Sequence, residues 1–265
     1  MIKPYYEENG ITIYHGDCRE ILPELEPVDL VLTSPPYDNL RDYGGHGFDW
    51  KSTIDAIIPV MLPGGVCVWV VGDATIDGSE TGTSFKQALY FLNKGLKLHD
   101  TMIYEKNSPP LTHKRYEQYF EYMFVISKDI PKTFNALEDI KLYRDNRKIK
   151  AVRRERDGSS DLGFASQKTT KIRGNVWRYK IGGGHVTKDK VAYDHPAIFP
   201  EALAHDHIYS WTNTNNTVLD PMCGSGTTLK ISKQLGRKAI GIEIEEKYCE
   251  IAVKRLAQGV LDFAS

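Results

Sequence analysis

The sequence predicts an α/β fold built on a mostly parallel sheet with helices on both faces. Two observations carry this. Short runs rich in β-branched and aromatic residues alternate with segments of helical spacing along the chain, as in a sheet wound with helices. Toward the carboxyl end, a strand at Val218-Leu219 leads through Gly224-Ser225-Gly226 into a helix from about Thr227 to Leu235. The next strand, Ala239 to Ile242, ends at an acid, Glu243. Such a βαβ unit belongs to a parallel sheet. The 265 residues can bury a sizeable core, as one large domain or one domain with an insertion. Hydrophobic content of 41% and charged content of 26% are those of a soluble globular protein.

Ile11 to Tyr14 reads as the first strand, with His15-Gly16-Asp17-Cys18 at its carboxyl end and one or two helical turns from Arg19 to Leu25. Asp17 is there either a helix cap or a group lining a ligand crevice. Leu30 to Leu32 is a buried strand, too short for a helix, and runs into Ser34-Pro35-Pro36-Tyr37. Two prolines fix the backbone and remove two N–H donors, and Pro35 keeps Ser34 out of helical geometry. The result is a stiff corner of exposed carbonyls with a hydroxyl before it and an aromatic ring after it. It suits a flat ring bearing an exocyclic amine, although an ordinary strand-to-loop turn has the same residues. The glycine-rich stretch 38–50 is a candidate lid beside the corner, or a plain surface loop.

Ser52 to Met61 has helical spacing and is expected to stop at Pro63-Gly64-Gly65. Val66 to Val71, Leu98 to Tyr104 and Tyr122 to Ile126 read as strands, Thr83 to Asn93 as a helix, and Glu105 to Phe120 as irregular. Leu137 to Glu155 could form a charged helix, with Gly158 to Thr170 a loop. His195 to Pro200 opens a helix through about Ile208, and Glu245 to Gln258 forms the last helix.

The net charge of −1 hides an asymmetry. Ser127 to Lys190 holds 17 Lys and Arg against 8 Asp and Glu, a balance of +9, which leaves −10 on the rest. A basic segment in an acidic body points to a polyanionic partner or to a solvated face. Lys141, Arg144, Arg147, Lys148, Lys150, Arg153, Arg154, Arg156, Lys171 and Arg173 are its candidate phosphate contacts. Tyr143, Phe164, Trp177 and Tyr179, interleaved with them, could stack on bases or wedge into a duplex. The expected organisation is therefore 1–126, a basic insertion at 127–190, and 191–265 completing the first part.

No apolar run approaches the roughly 20 residues of a membrane span, and the amino terminus lacks the apolar core of a signal peptide. Cys18, Cys67, Cys223 and Cys249 are widely spaced with no CxxC pair. This argues against a disulfide framework or a zinc site and fits a reducing cytoplasm. The histidines form no convincing metal motif, and His205-Asp206-His207 reads as a helix-end cluster.

Asp220-Pro221-Met222-Cys223-Gly224-Ser225-Gly226-Thr227-Thr228 resembles motif I of S-adenosylmethionine-dependent methyltransferases, with Met222 where phenylalanine is usual. Ser34-Pro35-Pro36-Tyr37 resembles motif IV of the amino-methylating DNA methyltransferases. The order, catalytic corner first and cofactor turn last, is similar to the permuted β class that methylates cytosine N4 or adenine N6. The resemblance implies a Rossmann-like methyltransferase fold with seven strands, one antiparallel, and a target-recognition region in the basic segment. It implies Glu243 on the ribose, Asp17 on the adenine amine with Cys18 beside it, and His195, Ala197 and Phe199 at the methionine end. Asp220, Met222, Gly224, Ser225, Gly226 and Thr227 would form the cofactor turn.

The resemblance further implies double-stranded DNA as the partner, with no membrane and no metal. A homodimer and a cognate restriction enzyme stay open. Ser34 before Pro-Pro favours cytosine N4, while adenine N6 is the alternative. A nicotinamide-dependent oxidoreductase shares the βαβ unit but leaves the corner and the basic segment unexplained. A non-enzymatic nucleic-acid-binding module would need neither half-site.

Overall fold

Asn9 and Gly10 both take positive φ, 51° and 78°, the two-residue turn that closes β1 (Tyr6–Glu8) on β2 (Ile11–His15). In this computed structural model the described residues are 2–36, 48–107, 116–140, 150–154, 157–164, 170–181, 184–195 and 197–258. Asp17 caps the short α1 (Cys18–Ile21) by accepting the Arg19 N–H at 2.9 Å. β3 (Val28–Thr33) then runs buried to the Ser34 corner.

α2 (Trp50–Ile57) is capped by Asp49 and ends earlier than the sequence predicts. β4 (Met61–Val71) already contains Pro63-Gly64-Gly65. Val28 pairs with Met61 and Leu30 with Val66, so Leu62 to Gly65 bulge out of the ladder. A bulge tolerates a proline that has no N–H to give. A small hairpin, β5 (Thr75–Ile76) and β6 (Ser79–Glu80), precedes α3 (Thr83–Asn93). β7 (Lys97–Lys106) and β8 (Phe120–Ser127) follow.

Residues 136–174 form a compact unit of their own. β9 (Glu138–Ile140) pairs antiparallel with β12 (Thr170–Ile172), and β10 (Lys150–Arg154) with β11 (Ser160–Phe164). The predicted charged helix and loop are thus replaced by strands among the described residues. The hairpin turn explains part of this. Gly158 sits at φ +84° and Asp157 accepts the Ser159 N–H, so Asp-Gly turns the chain back.

β13 (Val176–Tyr179), α4 (Glu201–Trp211), β14 (Thr217–Asp220), α5 (Thr227–Gln234), β15 (Lys238–Glu243) and α6 (Glu246–Gln258) complete the larger unit. Its sheet runs β1-β2-β15-β14-β3-β4-β8-β7-β13. Among the described residues that is nine strands, where seven were expected. Seven of them, β2 to β7 in that order, have β8 as the antiparallel member. The amino-terminal hairpin adds β1, and β13 adds to β7 in parallel at the far edge.

Side chains alternate across the strands. Val31, Cys67, Trp69, Phe124, Leu219 and Ile242 face a core shared with Ile21 of α1, Ile54 and Ile57 of α2 and Phe91 of α3. The indole of Trp69 donates to Gln87 of α3 at 2.8 Å. Met123, next to Phe124, faces the other way, 3.2 Å from the His207 ring of α4. His207 lies within α4 and is fully buried, rather than at a helix end, and burial pushes its pKa down to about 3. Trp177 and Tyr179 are buried as well. Trp177 packs on His207 at 4.6 Å and the Tyr179 hydroxyl donates to Asp206 at 2.8 Å, so neither is a free base-stacking ring.

Candidate active site

The strand ends in the middle of the sheet open onto one cleft of about 1130 Å³. Gly16 and Asp17 follow β2, Glu243 ends β15, Asp220 ends β14, Ser34-Pro35-Pro36 follows β3, and Gly72-Asp73 follows β4. This is where a parallel α/β sheet places its ligand crevice. Cys18, His195, Ala197, Phe199, Met222, Gly224, Ser225 and Thr227 line the same cleft. The two constellations read from the sequence are therefore brought together.

At one end the turn after β14 is held by carboxylates. Asp220 accepts the Met222 N–H at 3.2 Å and the Thr228 hydroxyl at 2.7 Å. Burial pushes its pKa up to about 6 against those bonds. Glu243 is 8% exposed and accepts the Gly224 N–H and the Glu245 N–H, both at 2.9 Å. Burial raises its pKa too. A carboxylate offers about four acceptor sites, so capacity remains for a ribose hydroxyl. Asp17 pairs with Arg19 on the rim of the cleft.

Gly224 has φ +49°, and a Cβ there would stand 2.7 Å from the His195 ring. His195 is fixed by Ala197, whose N–H approaches its Nδ1 at 3.1 Å, and by the Tyr248 ring at 4.3 Å. Gly226 is placed differently from the sequence expectation. It does not line the cleft; a Cβ on it would lie 2.7 Å from Ala252 of α6. Its φ of +77° opens α5, so its part is to let the turn pack on the last helix. Burial pushes the Cys18 thiol up to about 12 and the Cys223 thiol well above its usual value. Both are neutral near pH 7, which leaves neither as a thiolate nucleophile.

Beside the turn after β14, at the end of the neighbouring strand β3, Ser34 is half-buried, Pro35 buried and Pro36 half-buried. Tyr37 and the candidate lid up to Gly47 lie outside the described residues. The wall beyond the corner is aromatic, with Phe120 and Tyr122 5.3 Å apart, and carries the Lys106–Glu121 ion pair at 2.8 Å. Asp73, which sequence reading passed over, braces α3 by accepting the Ser84 N–H at 2.9 Å.

The basic candidates divide. Lys141, Arg144, Arg147, Lys148 and Arg156 lie outside the described residues. Lys150, Arg153 and Arg154 are in β10, and Lys171 is exposed on β12. Arg173 donates to Asp139 at 3.0 Å, which satisfies part of its charge locally.

The arrangement also contains a residue that the sequence did not single out. Arg255 of α6 is fully buried and donates to the Ser225 carbonyl at 2.8 Å and the Thr227 hydroxyl at 2.9 Å. The available signal was a charge on the inward stripe of α6, in register with Ala252 and Leu256.

Comparison with known proteins places this geometry. The orphan methyltransferase M.BamHII of Bacillus amyloliquefaciens is 48% identical over 252 residues, 93% of this chain and 92% of that protein. The type II methyltransferase M.ScaI of Streptomyces caespitosus is 26% identical over 263 residues, 96% of this chain and 84% of that one. Among solved structures, the M1.HpyAVI–SAM complex is 25% identical with a TM-score of 0.61, covering 93% of this chain and 99% of its own. The cytosine-N4-specific PvuII DNA methyltransferase has a TM-score of 0.69 over 100% of this chain and 91% of its own, and at 21% identity shows a common fold. The profile of the N6/N4 methyltransferases, described as DNA methylase, matches residues 28–254, and the chain belongs to that family.

Proposed function

We propose that this chain transfers a methyl group from S-adenosylmethionine to the N4 amine of a cytosine flipped out of duplex DNA. As a member of its family the chain is a site-specific DNA methyltransferase, and S-adenosylmethionine is its cofactor. The cleft fits that molecule. Glu243 and Asp17 offer carboxylate acceptors for hydroxyl and amine hydrogens, and the Gly224 turn lets the backbone come close. The cofactor supplies an electrophilic methyl group when bound.

The observation that carries the reading is that Ser34-Pro35-Pro36 opens onto the same cleft as Glu243 and the turn after Asp220. An exocyclic amine conjugated to a base ring is a poor nucleophile, because its lone pair is delocalised. The Ser34 hydroxyl and the Pro35 carbonyl would accept its two hydrogens, favour a pyramidal nitrogen and aim the lone pair along the line of displacement. Tyr37 would stack on the ring and offset part of the cost of extruding the base. No cysteine nucleophile is required. Ser34, in place of the acidic or amide residue usual before Pro-Pro in adenine-N6 enzymes, supports cytosine.

The basic unit 136–174, with 11 Lys and Arg against 6 Asp and Glu, supports DNA as the partner. DNA methylated by the chain with labelled cofactor, digested to nucleosides and resolved by mass spectrometry, tests the assignment. N4-methylcytosine is the expected product. N6-methyladenine would refute the cytosine assignment and leave the class intact.

A further inference from the structure

Four charged side chains meet behind the cofactor end of the cleft. Arg255 Nε donates to Asp189 Oδ2 at 3.1 Å and Nη2 to Glu201 Oε1 at 2.9 Å. Lys230 Nζ donates to the same two oxygens, at 2.7 and 2.9 Å. Two cations and two anions thus balance in a place where Arg255 is 0% and Lys230 9% exposed. Burial opposes the charge on Asp189, but its bonds to Lys230 and Arg255 win and hold its pKa below the ordinary value. Thr187 closes the cluster by donating to Glu201 at 2.6 Å.

The cluster joins two separate walls. Asp189 and Glu201 bracket the segment that carries His195, Ala197 and Phe199 into the cleft. On the other side, Nη1 of Arg255 holds the Ser225 carbonyl at 2.8 Å, the Ser225 hydroxyl at 3.1 Å and the Thr227 hydroxyl at 2.9 Å. One guanidinium therefore ties the turn to the segment opposite. Only a planar fork with several donors reaches a carbonyl, hydroxyls and two carboxylates at once; an ammonium is a point charge.

We infer that Arg255, with Asp189, Glu201 and Lys230, is a positioning cluster that sets the spacing between the Ser225–Thr227 turn and the His195–Phe199 segment, and so the affinity for the cofactor. None of the four acts on the reacting atoms. The inference rests on S-adenosylmethionine being the cofactor.

The test is S-adenosylmethionine binding by calorimetry, with turnover on DNA at saturating cofactor, for the parent, Arg255→Lys and Asp189→Asn. Arg255→Lys keeps the charge and loses the fork. Asp189→Asn keeps the shape, weakens the cluster from outside the cleft, and carries the test if Arg255→Lys does not fold. The expected result is cofactor affinity down about tenfold, the scale of one lost charge-assisted hydrogen bond, with saturated turnover nearly kept. A lower melting temperature with unchanged cofactor affinity in the folded variants would make the cluster a plain structural tie and overturn the inference. A parent chain that binds no S-adenosylmethionine would overturn the cofactor reading and this inference together.

Discussion

Glu243 accepts the backbone N–H of Gly224 at 2.9 Å, so the acid that ends β15 also braces the turn that follows β14. One carboxylate thus has two tasks, holding the turn and offering lone pairs to a ribose. Glu243→Gln keeps one acceptor but places an amide N–H2 against a backbone donor. Cofactor affinity is expected to fall by roughly 1.5–3 kcal/mol, the worth of hydrogen bonds to a charged group. Calorimetry with S-adenosylmethionine measures it, and unchanged affinity in folded protein would remove Glu243 from the ribose site.

Gly224 and Gly226 differ in what surrounds them. A methyl at Gly224 meets the His195 ring at the cleft, and one at Gly226 meets Ala252 behind it. Both positions have positive φ, so both substitutions to alanine strain the backbone, by about 1 kcal/mol or more. Gly224→Ala is expected to weaken cofactor binding beyond its effect on stability. Gly226→Ala is expected to act chiefly on melting temperature by displacing α6. Equal losses of affinity at equal melting temperature would contradict this division.

Much of this site was legible because its chemistry is local in sequence. The Asp220 to Thr228 turn and the Ser34 corner each occupy consecutive residues, and Glu243 ends the strand after the turn's helix. The Thr83–Asn93 helix was legible in full, since helical spacing and Gly95 frame it. What was hidden depends on packing. The direction of Gly226 toward Ala252 is fixed by α6. Arg255 finds Asp189 at 66 residues' separation, and no local pattern announces such a partner. Val176–Tyr179 alternates exposed and buried, yet the charges of Arg178 and of its neighbours Arg173 and Lys180 drew it into the basic segment. The charge pattern of Leu137 to Glu155 suggested a helix, while Asp157-Gly158 just beyond it was the stronger signal, a turn between strands.

Asp220 gives a pH dependence of definite sign. Its pKa rises from 3.8 to about 6 on folding, because burial disfavours the charge. The folded chain therefore binds more protons than the unfolded chain between those values. This contribution to stability is fully present below pH 3.8 and is lost as pH rises through about 6, on the order of 2–3 kcal/mol in all. Asp220→Asn lacks the titration, and the Thr228 hydroxyl can turn to accept from the amide. Thermal melts from pH 4 to 7.5 are expected to show the variant gaining on the parent as pH rises. A difference that does not move with pH would mean Asp220 titrates at its ordinary value.

The basic unit makes a separable prediction. Alanine at Lys150, Arg153, Arg154 and Lys171 together should weaken DNA binding and flatten its salt dependence by about 0.9 in the log–log slope for each phosphate no longer neutralised. Arg173→Ala should do less, since Asp139 already takes part of its charge. Cofactor affinity should not change. Fluorescence anisotropy across a salt series reads both quantities, and a quadruple variant with the parent's slope would exclude these four residues as phosphate contacts.

The corner itself is tested by Ser34→Ala. Ser34 directly follows β3, is half-buried, and lines the same cleft as Glu243 and the turn it braces. Losing it removes one of the two acceptors that would hold the amine pyramidal, while the Pro35 carbonyl remains. A partial defect is therefore expected, with turnover lower by about tenfold, as for one net hydrogen bond. Cofactor affinity should stay near the parent's, because the proposed arrangement gives the Ser34 hydroxyl to the substrate amine and the cofactor to Asp17, Glu243 and the Asp220–Thr228 turn. Tyr37→Ala, removing the proposed stacking face, should depress turnover in the same way. Single-turnover kinetics on a cognate duplex, alongside calorimetry with S-adenosylmethionine, separates the two quantities. Full turnover in both variants would mean that the amine is held elsewhere, and the wall of Phe120, Tyr122 and the Lys106–Glu121 pair would then be the place to look.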